Sequence, residues 1–228
     1  MKIVVFRYGT TELSQKSFFP GGDPNIKLSI SLLFFLVETE GKRILIDTGC
    51  DTMPNFPLFQ HQMPVDTLET YGLYPEDITD IIITHNHHDH IDALRHYPNA
   101  VVYLHNAGEE KARKRGYLSE RSELRLFTES CAVTERLTVH HVGGHSVDSS
   151  IVLAETPEGT YVFCGDECYG RENLEKGIPT GSSVCEEKSR AFVEQYGKPG
   201  YIPLVFHDPE LVKDLGFRAI YDENAEEI

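Results

Sequence analysis

The chain has 228 residues, 40% of them hydrophobic and 25% charged, which is enough to bury a sizeable core in an ordinary globular class. Acidic residues number 36 against 21 Lys and Arg, a net charge of −15; a surface of that sign repels phosphate backbones and anionic lipid, which excludes nucleic acid as a first partner. No stretch reaches the roughly eighteen apolar residues of a membrane span, and the N-terminus lacks a signal peptide's apolar core. The expectation is a cytoplasmic protein with no membrane partner.

In chain order, residues 3–7, 30–38, 43–46, 80–84, 100–104, 137–142, 150–154, 160–164 and 201–206 read as strands, rich in Ile, Val, Phe and Leu. Residues 66–71, 106–115 and 183–196 read as helices, with a charged stretch at 119–126 after the second. In the last helix Val184, Ala191, Phe192 and Tyr196 share a stripe and Gly197 caps. Strands come first in a run and then alternate with helices, which predicts mixed sheets covered by helices in a single domain over 1–228. Residues 21–22 and 51–64 are loops, the second unusually apolar with Met53, Phe56, Leu58, Phe59 and Met63. The acidic tail at 222–228 is expected to fray. Five cysteines without regular spacing read as reduced thiols: Cys164 and Cys168 do not have the two-residue gap of a zinc knuckle. Cys50 is marked because it follows a motif at the candidate site.

The chemistry sits at residues 81–90, Ile-Ile-Ile-Thr-His-Asn-His-His-Asp-His, where an apolar strand ends in four histidines and an aspartate. Imidazole suits zinc, iron or manganese, and carboxylate supplies a harder oxygen ligand. In extended chain alternate residues point the same way, so His85 and His87 can grip one metal. After a turn, Asp89 and His90 can face a second, at the separation of roughly 3.5–4 Å found in two-metal hydrolytic sites. His88 is out of step and reads as packing or as support behind the ligands.

His85-Asn86-His87-His88-Asp89-His90 resembles the His-x-His-x-Asp-His motif of the metallo-β-lactamase superfamily, and the resemblance continues in order from about residue 30 to 210. Ile44-Leu45-Ile46-Asp47-Thr48-Gly49 is similar to the family's strand ending in Asp-Thr-Gly. Gly143-Gly144-His145-Ser146, Phe163-Cys164-Gly165-Asp166 and Val205-Phe206-His207-Asp208 are similar to its later ligand segments. The resemblance implies an αββα sandwich (α/β, or α+β) of two mixed β-sheets flanked by helices, with two divalent metals at one edge, zinc first and iron or manganese as alternatives. It implies that His85, His87 and His145 hold one metal, Asp89, His90 and His207 the other, and that Asp166 bridges. Asp47 is then either a residue orienting the ligand loop or a plain turn aspartate.

Within the superfamily the motifs resemble the N-acyl-homoserine lactonase group: Tyr74-Pro75-Glu76-Asp77-Ile78 ahead of the metal strand, and Gly165-Asp166-Glu167-Cys168-Tyr169 followed by Glu172-Asn173. That implies a small ester or lactone substrate, with Asp89 handling the proton and Tyr169 assisting at the carbonyl oxygen. Thioester hydrolysis of the glyoxalase II type and diiron or persulfide oxidoreduction are the alternatives; His87, where flavo-diiron relatives carry glutamate, favours hydrolysis. Two departures stand out. Ile91-Asp92-Ala93-Leu94 and Ser146-Val147-Asp148-Ser149 replace glycine-containing segments, which predicts altered loops and places Asp92 and Asp148 as extra charge near the groove. The apolar residues of 51–64, with Phe18 and Phe19, are read either as a lid or as core under a long loop.

Overall fold

The computed structural model describes residues 1–120 and 123–225. Two long strands lay down its centre. β1 (Lys2–Ser14) and β2 (Lys27–Thr39) pair antiparallel along their whole length, with one bulge between Arg7 and Gly9. Both faces of this hairpin are covered along its first half. Ile3 and Val5 point one way, Val4, Phe6 and Tyr8 the other, and all are fully buried, which is why Ile3–Phe6 runs continuously apolar instead of alternating.

β3 (Lys42–Ile46), β4 (Asp80–Ile82), β5 (Val101–His105) and β6 (Glu123–Phe127) extend this sheet in parallel. A second sheet holds β7 (Ser130–Ala132), β8 (Leu137–His141), β9 (Ser150–Thr156), β10 (Gly159–Phe163) and β11 (Tyr201–Leu204). β12 (Gly216–Asp222) returns to the first, giving the orders β12-β1-β2-β3-β4-β5-β6 and β11-β10-β9-β8-β7. Both sheets are mixed: β3 joins β2 antiparallel while β3 to β6 run parallel to one another, and β11 joins β10 parallel while β7 to β10 pair antiparallel.

The sheets pack face to face through Val5, Phe35, Val37, Ile46, Val152, Phe163 and Phe206. The helices, in chain order, are α1 (Gln15–Phe18), α2 (Pro64–Thr70), α3 (His88–Ile91), α4 (Asn106–Lys114), α5 (Arg171–Lys176) and α6 (Glu186–Tyr196). α2 and α4 cover the outer face of the large sheet with Leu68 and Ala112. α5 and α6 cover the small sheet with Leu174, Phe192, Val193 and Tyr196. The architecture is the αββα sandwich expected from the motifs. No helix among the described residues is long and apolar enough to cross a membrane.

Several expectations change. β6, β7 and β12 were not predicted; all three are short or edge strands with few buried residues, and apolar periodicity is faint there. The 119–126 stretch becomes β6 from residue 123, while 121–122 lie outside the described residues. α6 buries Ser189, Phe192, Val193 and Tyr196; Val184 precedes it and is exposed, and Ala191 faces solvent. The tail is held as far as Glu223, which pairs with the Met1 ammonium and with Arg136. Residues 226–228 lie outside the described residues.

The topology decides where chemistry can occur. β3, β4, β10 and β11 all release their C-terminal loops at one edge of the sandwich, carrying Asp47, His85, Asp166 and His207. Two backbone hydrogen bonds tie the sheets together there, Ser150 N–H to the Thr84 carbonyl at 2.9 Å and Ser31 N–H to the His207 carbonyl at 3.3 Å.

Candidate metal centre

Two groups of ligand-type side chains meet at this edge: His85, His87, His145 and Asp166 in one, and Asp89, His90 and His207 in the other. All seven residues singled out from the motifs as ligands are thus brought together. Gly165 takes φ 51°, a left-handed turn that a side chain would resist, and it swings Asp166 inward off the end of β10. The two oxygens of Asp166 face opposite groups. Oδ2 lies 3.7 Å from His85 Nε2 and 3.5 Å from His145 Nε2, while Oδ1 lies 3.1 Å from both His90 Nε2 and His207 Nε2. Asp89 Oδ2 stands 3.6 Å from His90 Nε2 and 3.8 Å from His207 Nε2.

The donor set fits divalent metal. His85 Nε2, His90 Nε2, His207 Nε2 and Asp166 Oδ1 are buried without a hydrogen-bond partner and converge on the same space. His87 Nδ1 and His145 Nε2 stand 3.0 Å apart, so a proton or a cation must lie between them. Two ligands of one tetrahedral zinc, at about 2.0–2.1 Å each, are separated by about 3.3 Å, within the spread of the distances above.

Outer hydrogen bonds hold the rings. His90 Nδ1 donates to Asp47 Oδ2 at 2.6 Å, His145 Nδ1 to the Ser182 carbonyl at 2.6 Å, and His207 Nδ1 to the Ser31 carbonyl at 2.9 Å. His85 Nδ1 donates to Thr84 Oγ1 at 3.1 Å, and that hydroxyl donates to Asp47 Oδ2 at 2.8 Å. Asp47 therefore orients both halves of the motif, from a backbone at φ 59°. Each Nδ1–H so engaged leaves an Nε2 lone pair aimed at the centre. Burial, reinforced by the neighbouring imidazoles of His90 and His87, pushes His85 well below the usual histidine range. Burial works to raise Asp166, but the imidazoles of His90 and His207 overcome it and hold its carboxyl well below the carboxylate range.

The profile of the metallo-beta-lactamase superfamily matches residues 33–211, a span containing both groups. The chain belongs to that superfamily. Among its relatives, an N-acyl homoserine lactonase of Bacillus cereus is 27% identical over 178 residues, 68% of this chain and 71% of that protein. A hydroxyacylglutathione hydrolase of Pectobacterium carotovorum subsp. carotovorum (strain PC1) is 26% identical over 161 residues, 67% of this chain and 53% of that protein. The structure of an N-acyl homoserine lactone hydrolase, solved with the product N-hexanoyl-L-homoserine bound at its catalytic metal center, superposes with a TM-score of 0.78 at 21% identity, covering 92% of this chain and 94% of that one. That last likeness is one of fold.

In this superfamily member a cavity of about 290 Å³ opens onto His87, Asp89 and Asp166. Its other walls include Leu13, Ile30, Met53, Pro54 and Phe56. The apolar loop is thus divided in its use: Met53 and Phe56 face the cavity, Leu58 packs against the outer core, and Phe59 bridges to Thr10 on β1. Phe18 packs beneath Tyr169 at 5.5 Å instead of over the site. Tyr169 lines the cavity and stacks on His207, with rings 5.3 Å apart and 11° from parallel. Burial pushes its phenol well above the usual range, so it remains a donor.

His88 belongs to neither ligand group, as its register implies: Nδ1 meets the Tyr117 hydroxyl at 2.8 Å and Nε2 the Thr52 carbonyl at 2.7 Å. Asp92 and Asp148 are not loose charge at the groove. Asp92 is tied to Arg95 and to the Asp51 N–H, and Asp148 is 1% exposed, accepting from Asn86 N–H and Ser146 Oγ. Cys50 is buried, with its thiol pushed up to about 12 by burial, and takes no place among the ligands. Sequence reasoning missed Thr84 and Glu167. Glu167 carried a readable signal, a carboxylate between Asp166 and Cys168 beyond an apolar strand; the carbonyls of Ser31 and Ser182 carry none.

Proposed function

We propose that the chain is a cytoplasmic metal-dependent hydrolase of carbonyl esters, lactones first among them, built on two divalent cations with zinc as the preferred metal. His85, His87 and His145 would hold one cation, Asp89, His90 and His207 the other, and Asp166 would bridge. The observation that carries this reading is the junction of two ligand groups through the two oxygens of Asp166, at the mouth of a cavity with apolar walls. The named activity of the Bacillus cereus relative supports the lactone class.

When bound, the cations would supply Lewis acidity, acidifying water and polarising a carbonyl. The chain's own groups then divide the work. The Asp89 carboxylate, partly open to the cavity, takes the proton of the attacking water and returns it to the departing ring oxygen. The Tyr169 hydroxyl donates towards the carbonyl oxygen as charge develops there. Met53, Phe56, Leu13 and Ile30 receive an apolar acyl chain, each buried methylene contributing about 0.8 kcal/mol.

The test is metal content by elemental analysis of protein prepared without chelator, followed by ring opening of a lactone series, with a thioester and a generic phosphodiester alongside. We expect about two metals per chain and a kcat/KM that rises with acyl length until the cavity is full. Efficient phosphodiester cleavage without lactone opening would sink the substrate class; a metal content near zero after reconstitution would sink the centre itself. Tyr169→Phe is expected to lower kcat more than it raises KM, because an oxyanion contact strengthens in the transition state. A change in KM alone would remove Tyr169 from the chemistry.

A further inference from the structure

The half of the centre built from His85, His87 and His145 is carried on two loops, and each loop is gripped by a buried carboxylate that belongs to neither ligand group. Glu167 is fully buried. Its Oε1 accepts from Gly144 N–H and His145 N–H, both at 3.1 Å, and from the Ser149 hydroxyl. Asp148 reaches the other loop, where Oδ2 accepts from Asn86 N–H at 2.9 Å, between the two histidines, and Oδ1 accepts from Ser146 Oγ at 2.8 Å.

Each carboxylate is also accommodated by a glycine on a neighbouring segment. A Cβ on Gly108 of α4 would come within 2.6 Å of Asp148 Oδ2, and a Cβ on Gly144 would collide with Glu167 Oε2. Neither glycine takes a left-handed φ, so what they provide is room. Charge-assisted acceptance of backbone N–H groups is strong and directional, and two charges placed in the interior are costly to keep without such partners. The other half of the centre is held differently, His90 through Asp47 and His207 through the Ser31 carbonyl.

We infer that Glu167 and Asp148 are positioning residues for the His85/His87/His145 half alone, fixing the two ligand loops so that this half binds its cation as a preset site. The inference rests on the two-cation reading above.

The test is zinc binding by competition with a chromophoric chelator, on whole protein, without any ester present. Wild type is expected to show two binding steps. Glu167→Ala and Asp148→Ala are each expected to weaken the same one step by about 10–100-fold, the range for groups that orient metal ligands, and to leave the other within about twofold. Gly108→Ala, which touches no ligand, is expected to weaken that step too by displacing Asp148. Glu172→Gln, at an exposed position on α5, should change neither. Glu167→Gln keeps size and an acceptor, so it should weaken the same step by less than alanine and serves if Glu167→Ala does not fold. Unchanged binding in the carboxylate variants, or equal weakening of both steps, overturns the inference and leaves the two-cation reading intact. A wild type that binds no zinc overturns both.

Discussion

Asp89→Asn is expected to lower kcat for lactone opening by at least about a hundredfold, the scale of general acid–base catalysis. Asparagine has nearly the same shape, so the change removes charge and basicity and little else. The loop around it has independent anchors: the Asp89 carbonyl accepts from the Tyr8 hydroxyl at 3.0 Å, and His90 is pinned by Asp47. Metal binding on the His90 and His207 side should weaken as well, since Asp89 Oδ2 faces both rings. His88→Gln is the paired control one residue away. It removes contacts to Tyr117 and Thr52 outside the two ligand groups and should cost about 1 kcal/mol of stability with metal content retained; because His88 also lines the cavity, turnover should fall, but far less than in Asp89→Asn. Lactone assays with elemental analysis of both variants decide the matter. If His88→Gln proved the more damaging, with metal lost, the register of the motif would be misassigned.

The register was legible because an apolar strand and a ligand cluster are both local patterns. Ile81 and Ile82 mark a buried strand, and the spacing of His85 and His87 on extended chain follows from backbone geometry alone. Positions 145, 166 and 207 were legible only through resemblance, since a single histidine or aspartate at a strand end has no local meaning. What escaped was whatever depends on distant partners. β1 runs on from Arg7 to Ser14 through Gly9, Thr10, Thr11 and Glu12 because β2 offers a matching edge, and a polar run gives no hint of that. β12 shows the same dependence: Phe217 and Arg218 are exposed, and the strand exists by pairing with β1. Asp148 looked like surface charge because an aspartate beside Ser and Val in a loop usually is. Its burial follows from Asn86 lying 62 positions away in the chain, a contact that the fold creates.

Phe35→Ala is expected to destabilise the protein by about 3–5 kcal/mol, the range for a large aromatic removed from a packed core. Phe35 is fully buried between the sheets, edge-on to Phe163 at 5.2 Å and to Phe206 at 4.7 Å. These two rings end or follow the strands that deliver Asp166 and His207, so the cavity left behind opens directly under the centre. Interiors pack like crystals and relax only partly around such a hole, and the strand ends are expected to loosen with it. The measurement is urea unfolding of chelator-treated protein, because bound cations would add their own concentration-dependent stabilisation. Phe35→Leu, which refills most of the volume, should recover more than half of the loss. A drop below about 1 kcal/mol for alanine would mean that the two sheets do not meet at this residue as described. If the loss is as large as expected, reconstituted Phe35→Ala should bind zinc more weakly in both steps, unlike Glu167→Ala, because its cavity lies beneath Asp166 and His207 together.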